Sequence, residues 1–222
     1  FTNDRSPEIF LSFAERVIDA LGDLVDDYIT INEPNVYSMH SLLSGMWPPE
    51  KRSPRSVIKA YSNLTAAHIR TYKMIHSKRR AMGKDADETL VSFANHLRAF
   101  APKNGKNLFH NICSSVGEHI FQTALTKAMM TGKCIFPVMR RRGVKKGKYY
   151  DFIGINYYSR STISGVGDGV REDCYKNDLG WEIYHNGLIE LSNKLYKKYN
   201  AAVFATENGT CDNNDSFRPL FI

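Results

Sequence analysis

The sequence lacks any apolar run approaching the ~20 residues that a membrane-spanning helix needs. Cysteine is scarce. Cys113, Cys134, Cys174 and Cys211 form no C-x-x-C pair and show no metal-ligand spacing, so no metal site is expected and the thiols read as reduced and mostly structural. Internal repeats and low-complexity tracts are also missing, which sets aside solenoids and disordered linkers. No secretory signal pattern is present, but the chain starts at Phe1 rather than methionine. It therefore reads as a piece of something longer, and its compartment stays open. Asn63-Leu64-Thr65 is a glycosylation sequon, a pattern too short to establish secretion.

Acidic charge falls short of basic charge, leaving a net +7 over 222 residues. Much of the excess sits in Arg140-Arg141-Arg142-Gly143-Val144-Lys145-Lys146-Gly147-Lys148. Such a run suits a nucleic acid or another acidic surface, but runs of charge are more often solvated loops. No zinc finger or RNA-recognition motif accompanies it, so no nucleic-acid partner is expected, and without a spanning run no membrane partner is expected either.

Taken in order, the chain alternates helix and strand. Ser6-Pro7-Glu8 carries the signature of a helix start, with Ser6 as the capping residue. Phe10, Phe13, Val17, Ile18 and Leu21 then follow at helical spacing up to Gly22. Tyr28 to Ile31 reads as a strand, and residues 35–51, with Trp47 and the pair Pro48-Pro49, as a long loop. Ser53-Pro54 opens a second helix whose stripe includes Val57, Tyr61, Leu64, His68, Tyr72 and Ile75; His68 on that stripe is expected to be a hydrogen-bonded core residue. Thr89 to Phe93 is the next strand, with Asn95 and His96 just past its end as pocket candidates. A helix over 107–133, a strand from Tyr150 to Tyr158, a helix marked by Leu188, Leu191, Leu195 and Tyr199, and a strand from Ala201 to Ala205 complete the series. Strict alternation predicts parallel strands joined by right-handed crossovers, with ligands gathering at the strands' carboxyl ends.

Two glutamates occupy that setting. Glu33 closes the first strand within Thr30-Ile31-Asn32-Glu33-Pro34, where Pro34 keeps it out of the helical region. Glu207 stands beyond the last strand within Ala205-Thr206-Glu207-Asn208-Gly209. Paired carboxylates on one rim suit glycoside hydrolysis, which needs a proton donor for the leaving oxygen and an ionised partner on the other face of the sugar. In a retaining enzyme that partner is a nucleophile, with the carboxyl groups roughly 5–5.5 Å apart. From position alone, either glutamate could play either part. The pair could equally bind a metal or face arginines.

Further motifs narrow the choice. Thr30 to Pro34 resembles the T-F-N-E-P signature of glycoside hydrolase family 1, the β-glucosidase family, and Ala205 to Gly209 resembles its I-T-E-N-G signature. Asp151-Phe152-Ile153-Gly154-Ile155-Asn156-Tyr157-Tyr158 is similar to the family's D-F-I-G-x-N-Y-Y strand. Leu179-Gly180-Trp181-Glu182-Ile183-Tyr184 is similar to its G-W-E-I-Y-P turn, with His185 in the proline's place. Gly132-Lys133 and the closing stretch from Asp215 to Ile222 fit as well. The resemblance runs across essentially the whole chain.

It implies one partial catalytic domain over residues 1–222, an α/β fold forming an incomplete (β/α)8 TIM barrel, roughly strands four to seven with their helices. It implies Glu33 as acid/base and Glu207 as nucleophile of a retaining β-glycosidase. Asn32 would meet the sugar 2-hydroxyl, Tyr158 would donate to Glu207, and Asn156 would support the same subsite. The substrate implied is a β-glycoside, with no cofactor. Relatives whose acid/base is Gln, or that have lost a catalytic glutamate, are disfavoured because both glutamates are present. The family's Gln of strand one, His-Trp pair of strand three and Trp-rich strand eight have no counterpart here. The expectation is therefore little activity from these residues alone, and open barrel edges suited to self-association. A glycosidase-like interaction protein without activity and a 6-phospho-β-glycosidase are the alternatives.

Overall fold

The computed structural model describes residues 1–221; Ile222, the end of the C-terminal motif, lies outside the described residues. The chain forms two compact units, one of Phe1–Asn95 with Phe121–Gly154, the other of His96–Ile120 with the stretch from Ile155 onward. Its strands β1 (Asp27–Asn32), β2 (Leu90–Pro102), β3 (Ile153–Ile163) and β4 (Asp168–Gly169) lie in the order β1-β2-β3-β4, with β5 (Val203–Asn208) also pairing β3.

In the first unit, helix α1 (Ser6–Leu21) buries Pro7, Ala14 and Ile18. Arg5 is its N-cap and makes no side-chain cap bond, so Ser6 lies inside the first turn rather than capping it as expected. Strand β1 (Asp27–Asn32) pairs in parallel with the start of β2 (Leu90–Pro102), from Asp27 opposite Leu90 to Asn32 opposite Ala94, with an irregularity between Ile29 and Asn32. Helix α3 (Pro54–Ala81) begins at Ser53, whose side chain accepts from the Ser56 amide, and it buries Val57, Ala60, Tyr61, Leu64, His68 and Ile75. Ile18, Ile75 and Val91 form one part of the core. Ala66, Ile69, Val144 and Tyr149 form another.

The expected loop after β1 is a helix, α2 (Pro34–Leu42). Pro34 starts it with a preset φ. Asn35, Val36, Ser38, Ser41 and Leu42 are all buried, so burial is not confined to an apolar stripe and helical periodicity does not show in the sequence. Ser38 and Ser41 are polar residues in that interior, and the Ser38 hydroxyl donates to the Pro34 carbonyl at 2.8 Å. Helix α5 (Ala124–Thr131) ends at Gly132, whose φ of +64° and closeness to Lys145, whose carbonyl oxygen would lie 1.9 Å from an added Cβ, leave room for glycine alone.

In the second unit, helix α4 (Leu108–Glu118) is capped by the Asn107 side chain, which accepts from the amides of Phe109 and His110. The single helix expected over 107–133 is thus two, joined by a π-helical turn at His119–Thr123. Strand β3 (Ile153–Ile163) runs well past Tyr158 and turns back through β4 (Asp168–Gly169), which is antiparallel to it. The expectation of parallel strands throughout therefore fails at β4. Helix α6 (Asn186–Tyr199) ends at Asn200, left-handed at φ +50°, and β5 (Val203–Asn208) and α7 (Arg218–Phe221) follow. Asn95 and His96 lie inside β2, Asn156 and Tyr158 inside β3, and Glu207 inside β5, because the strands are longer than their apolar runs suggested.

Candidate functional site

The first unit carries Asn32 and Glu33 at the carboxyl end of β1. Glu33 takes left-handed backbone angles, φ +46° and ψ +52°. That region is uncommon for a residue with a side chain, and such strain gathers at functional positions. The Glu33 amide donates to the Ala94 carbonyl at 2.8 Å, and the Glu33 carbonyl accepts from the Tyr37 amide at 3.1 Å. The glutamate is thus clamped between a strand and the first turn of α2, with its side chain half-buried.

Behind it stands His68, fully buried as expected. Its Nε2 lies 2.8 Å from the Tyr149 carbonyl, which can only accept, so Nε2 carries the ring proton. Nδ1 is then an acceptor, and the Thr30 hydroxyl donates to it at 2.7 Å. Burial pushes the His68 pKa down to about 4 despite the opposing bond to Tyr149. A neutral imidazole therefore ties β1 to the segment before β3. That segment also holds Asp151, which accepts from Tyr72 at 2.8 Å, His76 at 2.7 Å and the Val91 amide at 2.8 Å. Burial alone would raise the Asp151 pKa, but these donors outweigh it and hold the carboxyl below its ordinary range. Nearby, the buried Asn95 donates to Thr126 at 3.0 Å, while its Oδ1 has no partner among the described residues. Trp47 packs on His40, with ring centroids 5.0 Å apart.

The second unit carries the other expected residues, grouped on β3 and β5. Tyr158 donates its hydroxyl proton to the Glu207 carboxylate. Thr206 donates to the side-chain oxygen of the fully buried Asn156 at 2.6 Å, and Asn208 donates to the Tyr157 carbonyl at 2.9 Å. Three successive side chains of β5 are thus read by β3. The Tyr158 ring lies 5.4 Å from that of His96 and 6.4 Å, edge-on, from that of Trp181. Trp181 is in turn covered by the Arg98 guanidinium at 5.6 Å.

Trp181 is held by its neighbours. Arg160 pairs with Glu182 through two hydrogen bonds and stacks on Tyr184 at 3.9 Å. Ser159 donates to the Glu182 carbonyl at 2.9 Å, and Tyr157 donates to the Tyr184 carbonyl. Neither Arg98 nor Arg160 stands out by sequence pattern, and Trp181 and Glu182 do so only as members of the turn motif. The signal that could have found them was the lone arginine on each strand, Arg98 on β2 and Arg160 on β3, since a charge within a largely buried strand needs a partner. Among the described residues, no group of three His, Cys, Asp or Glu could hold a metal ion. Each unit therefore presents one clamped carboxylate, with amide side chains beside it.

The chain is 28% identical over 232 residues to a galactolipid galactosyltransferase of Arabidopsis thaliana, covering 99% of this chain and 33% of that protein. It is 26% identical over 242 residues to a β-galactosidase of Sulfolobus acidocaldarius, covering 99% of this chain and 46% of that protein. The crystal structure of the β-glycosidase from Thermosphaera aggregans superposes with a TM-score of 0.80 at 26% identity, over 99% of this chain and 47% of that one. The chain thus spans between a third and a half of the length of these relatives. Its sheet and helices are part of the TIM-barrel fold that such β-glycosidases share. Residues 1–219 match the sequence model of glycosyl hydrolase family 1, and the chain belongs to that family.

Proposed function

We propose that these residues supply both catalytic carboxylates of an enzyme that cleaves β-glycosides with retention of configuration, through a covalent glycosyl-enzyme formed on Glu207. The observation that carries this reading is the hydrogen bond from Tyr158 to Glu207, which orients the carboxylate as a nucleophile requires. In the first step Glu33, protonated, gives its proton to the glycosidic oxygen as that oxygen leaves the anomeric carbon. A Glu207 oxygen attacks the same carbon from the opposite face, and the ester bond forms as the C–O bond breaks. In the second step the ionised Glu33 takes a proton from water, whose oxygen displaces Glu207 and restores the original configuration. Asn32 hydrogen-bonds the sugar 2-hydroxyl, a contact that strengthens as positive charge develops at the anomeric carbon. Asn156 supports the same subsite through Thr206.

A sugar hydroxyl could replace water in the second step, because the covalent intermediate is the same. The 28% identity to a protein named for galactosyl transfer favours testing that acceptor. The primary test is incubation with a 2-deoxy-2-fluoro-β-glycoside bearing a good leaving group, followed by peptide mass spectrometry. An adduct on Glu207, absent from Glu207→Gln, is the expected result. An unlabelled protein, or an adduct on another residue, would overturn the assignment and favour a non-catalytic member of the family.

A further inference from the structure

The basic run behaves differently in the fold than in the sequence. Residues 133–148 contain Lys133, Arg140, Arg141, Arg142, Lys145, Lys146 and Lys148 and no acidic residue. These seven cations equal the whole net charge of +7, so the rest of the chain is balanced. Arg141 meets Asp4 at 3.0 Å. Lys133, Lys145 and Lys146 are exposed and meet no carboxylate among the described residues.

The segment is not a free tether. Val144 is buried against Ala66, Ile69 and Tyr149. The Met139 amide donates to Ser62 at 2.9 Å, the Gly147 amide to the Thr131 carbonyl at 3.0 Å, and the Tyr149 hydroxyl to the Lys145 carbonyl at 3.0 Å. This anchoring leaves two large apolar side chains outside, Phe136 at 64% and Met139 at 56% exposure. A cleft of about 420 Å³ is lined by Phe136 and Met139 together with Cys134, Val138 and the cations Lys133, Arg140 and Lys146.

We propose that this face docks on the surface of an anionic lipid bilayer. A protein that meets lipid from the side needs what lies together here: fixed, unpaired cations near the headgroups and exposed apolar side chains that enter the acyl boundary. A surface for nucleic acid needs the cations and gains little from an exposed Met139. The expectation of no membrane partner rested on the lack of a spanning segment, which peripheral docking does not require.

The test is co-sedimentation of the protein with vesicles of phosphatidylcholine alone and of phosphatidylcholine mixed with phosphatidylglycerol, at low and at physiological ionic strength. Binding is expected for the mixed vesicles only, weakening with salt and by about five-fold for each cation removed. Lys145→Glu combined with Lys146→Glu, both exposed, is expected to lower binding at least tenfold with an unchanged circular dichroism spectrum. Met139→Ser is expected to weaken binding without changing its salt dependence. Equal binding to neutral vesicles, or binding indifferent to the charge reversal, would overturn the proposal. So would lysine-dependent binding of a duplex oligonucleotide without binding of vesicles.

Discussion

The Tyr158 hydroxyl donates to the Glu207 carboxylate between paired strands, β3 and β5. That bond orients the carboxylate, and Thr206 and Asn208 on either side are also bonded to β3, which holds the strand that carries it. Removing the donor alone should then cost mainly transition-state stabilisation. For Tyr158→Phe we expect kcat/KM on an aryl β-glycoside to fall about 10- to 100-fold, the equivalent of about 1.5–3 kcal/mol for a bond to a charged group. The loss should appear in kcat more than in KM. Steady-state kinetics on the purified variant measures both, and an unchanged kcat would remove Tyr158 from the reaction.

Glu33 offers a separation of stability from activity. Its left-handed backbone costs of order 1–3 kcal/mol in a residue with a Cβ, whereas glycine takes these angles freely. Part of that gain is lost to the greater freedom of glycine in the unfolded chain. Glu33→Gly should therefore unfold in urea with a free energy unchanged or higher by up to about 1 kcal/mol, while glycosidase activity collapses. A drop in stability of more than about 1 kcal/mol would show that the Glu33 side chain holds the fold together.

His68 predicts a pH dependence. The folded-state pKa lies near 4, below the ordinary histidine value of about 6.5, because a charged ring is not accommodated in the core. Between these values the unfolded chain binds a proton that the folded chain does not. Stability from this residue is complete above about pH 6.5 and is lost as pH falls towards 4, on the order of 3 kcal/mol over the whole window. His68→Gln keeps a donor for Tyr149 and an acceptor for Thr30 but cannot titrate. Urea unfolding between pH 4 and pH 7 should show a shallower slope for the variant. Identical slopes would mean that His68 does not control acid stability.

Much of this was legible before the fold was known. Glu33 and Glu207 stood out because each lies at the end of an apolar run and next to an amide, Asn32 before the first and Asn208 after the second, and His68 because it falls on the stripe of α3. What stayed hidden was set by contacts rather than by pattern. Helix α2 buries serines and an asparagine along with its apolar residues, so no period marks it. Strands β2 and β3 continue into polar and charged residues because Arg98 and Arg160 find partners in Asp168 and Glu182, far along the chain. The same holds for Arg79, which is buried in the first unit yet bonds to Thr89, Gly22 and Asp26. Local sequence carries periodicity, but it does not carry the partner that makes a buried charge affordable.

The pair of Arg160 and Glu182 tests that point directly. Glu182 is 2% exposed and Arg160 14%, so each charge is largely withdrawn from water and stabilised by the other. Glu182→Gln removes the anion and keeps the shape, leaving the Arg160 guanidinium against the Tyr184 ring with no counter-charge. Breaking a buried pair in this way typically costs about 3–5 kcal/mol, and the residual exposure of Arg160 places the expectation near the lower end. The damage should reach Trp181, which precedes Glu182 and packs edge-on against Tyr158. In a Trp47→Phe background, Trp181 is the only tryptophan and its emission reports the site alone. We expect a red shift in native buffer together with the loss of unfolding free energy. A stability change below about 1 kcal/mol with unchanged emission would show that water or another group replaces the carboxylate, and that the pair does not hold Trp181 in place.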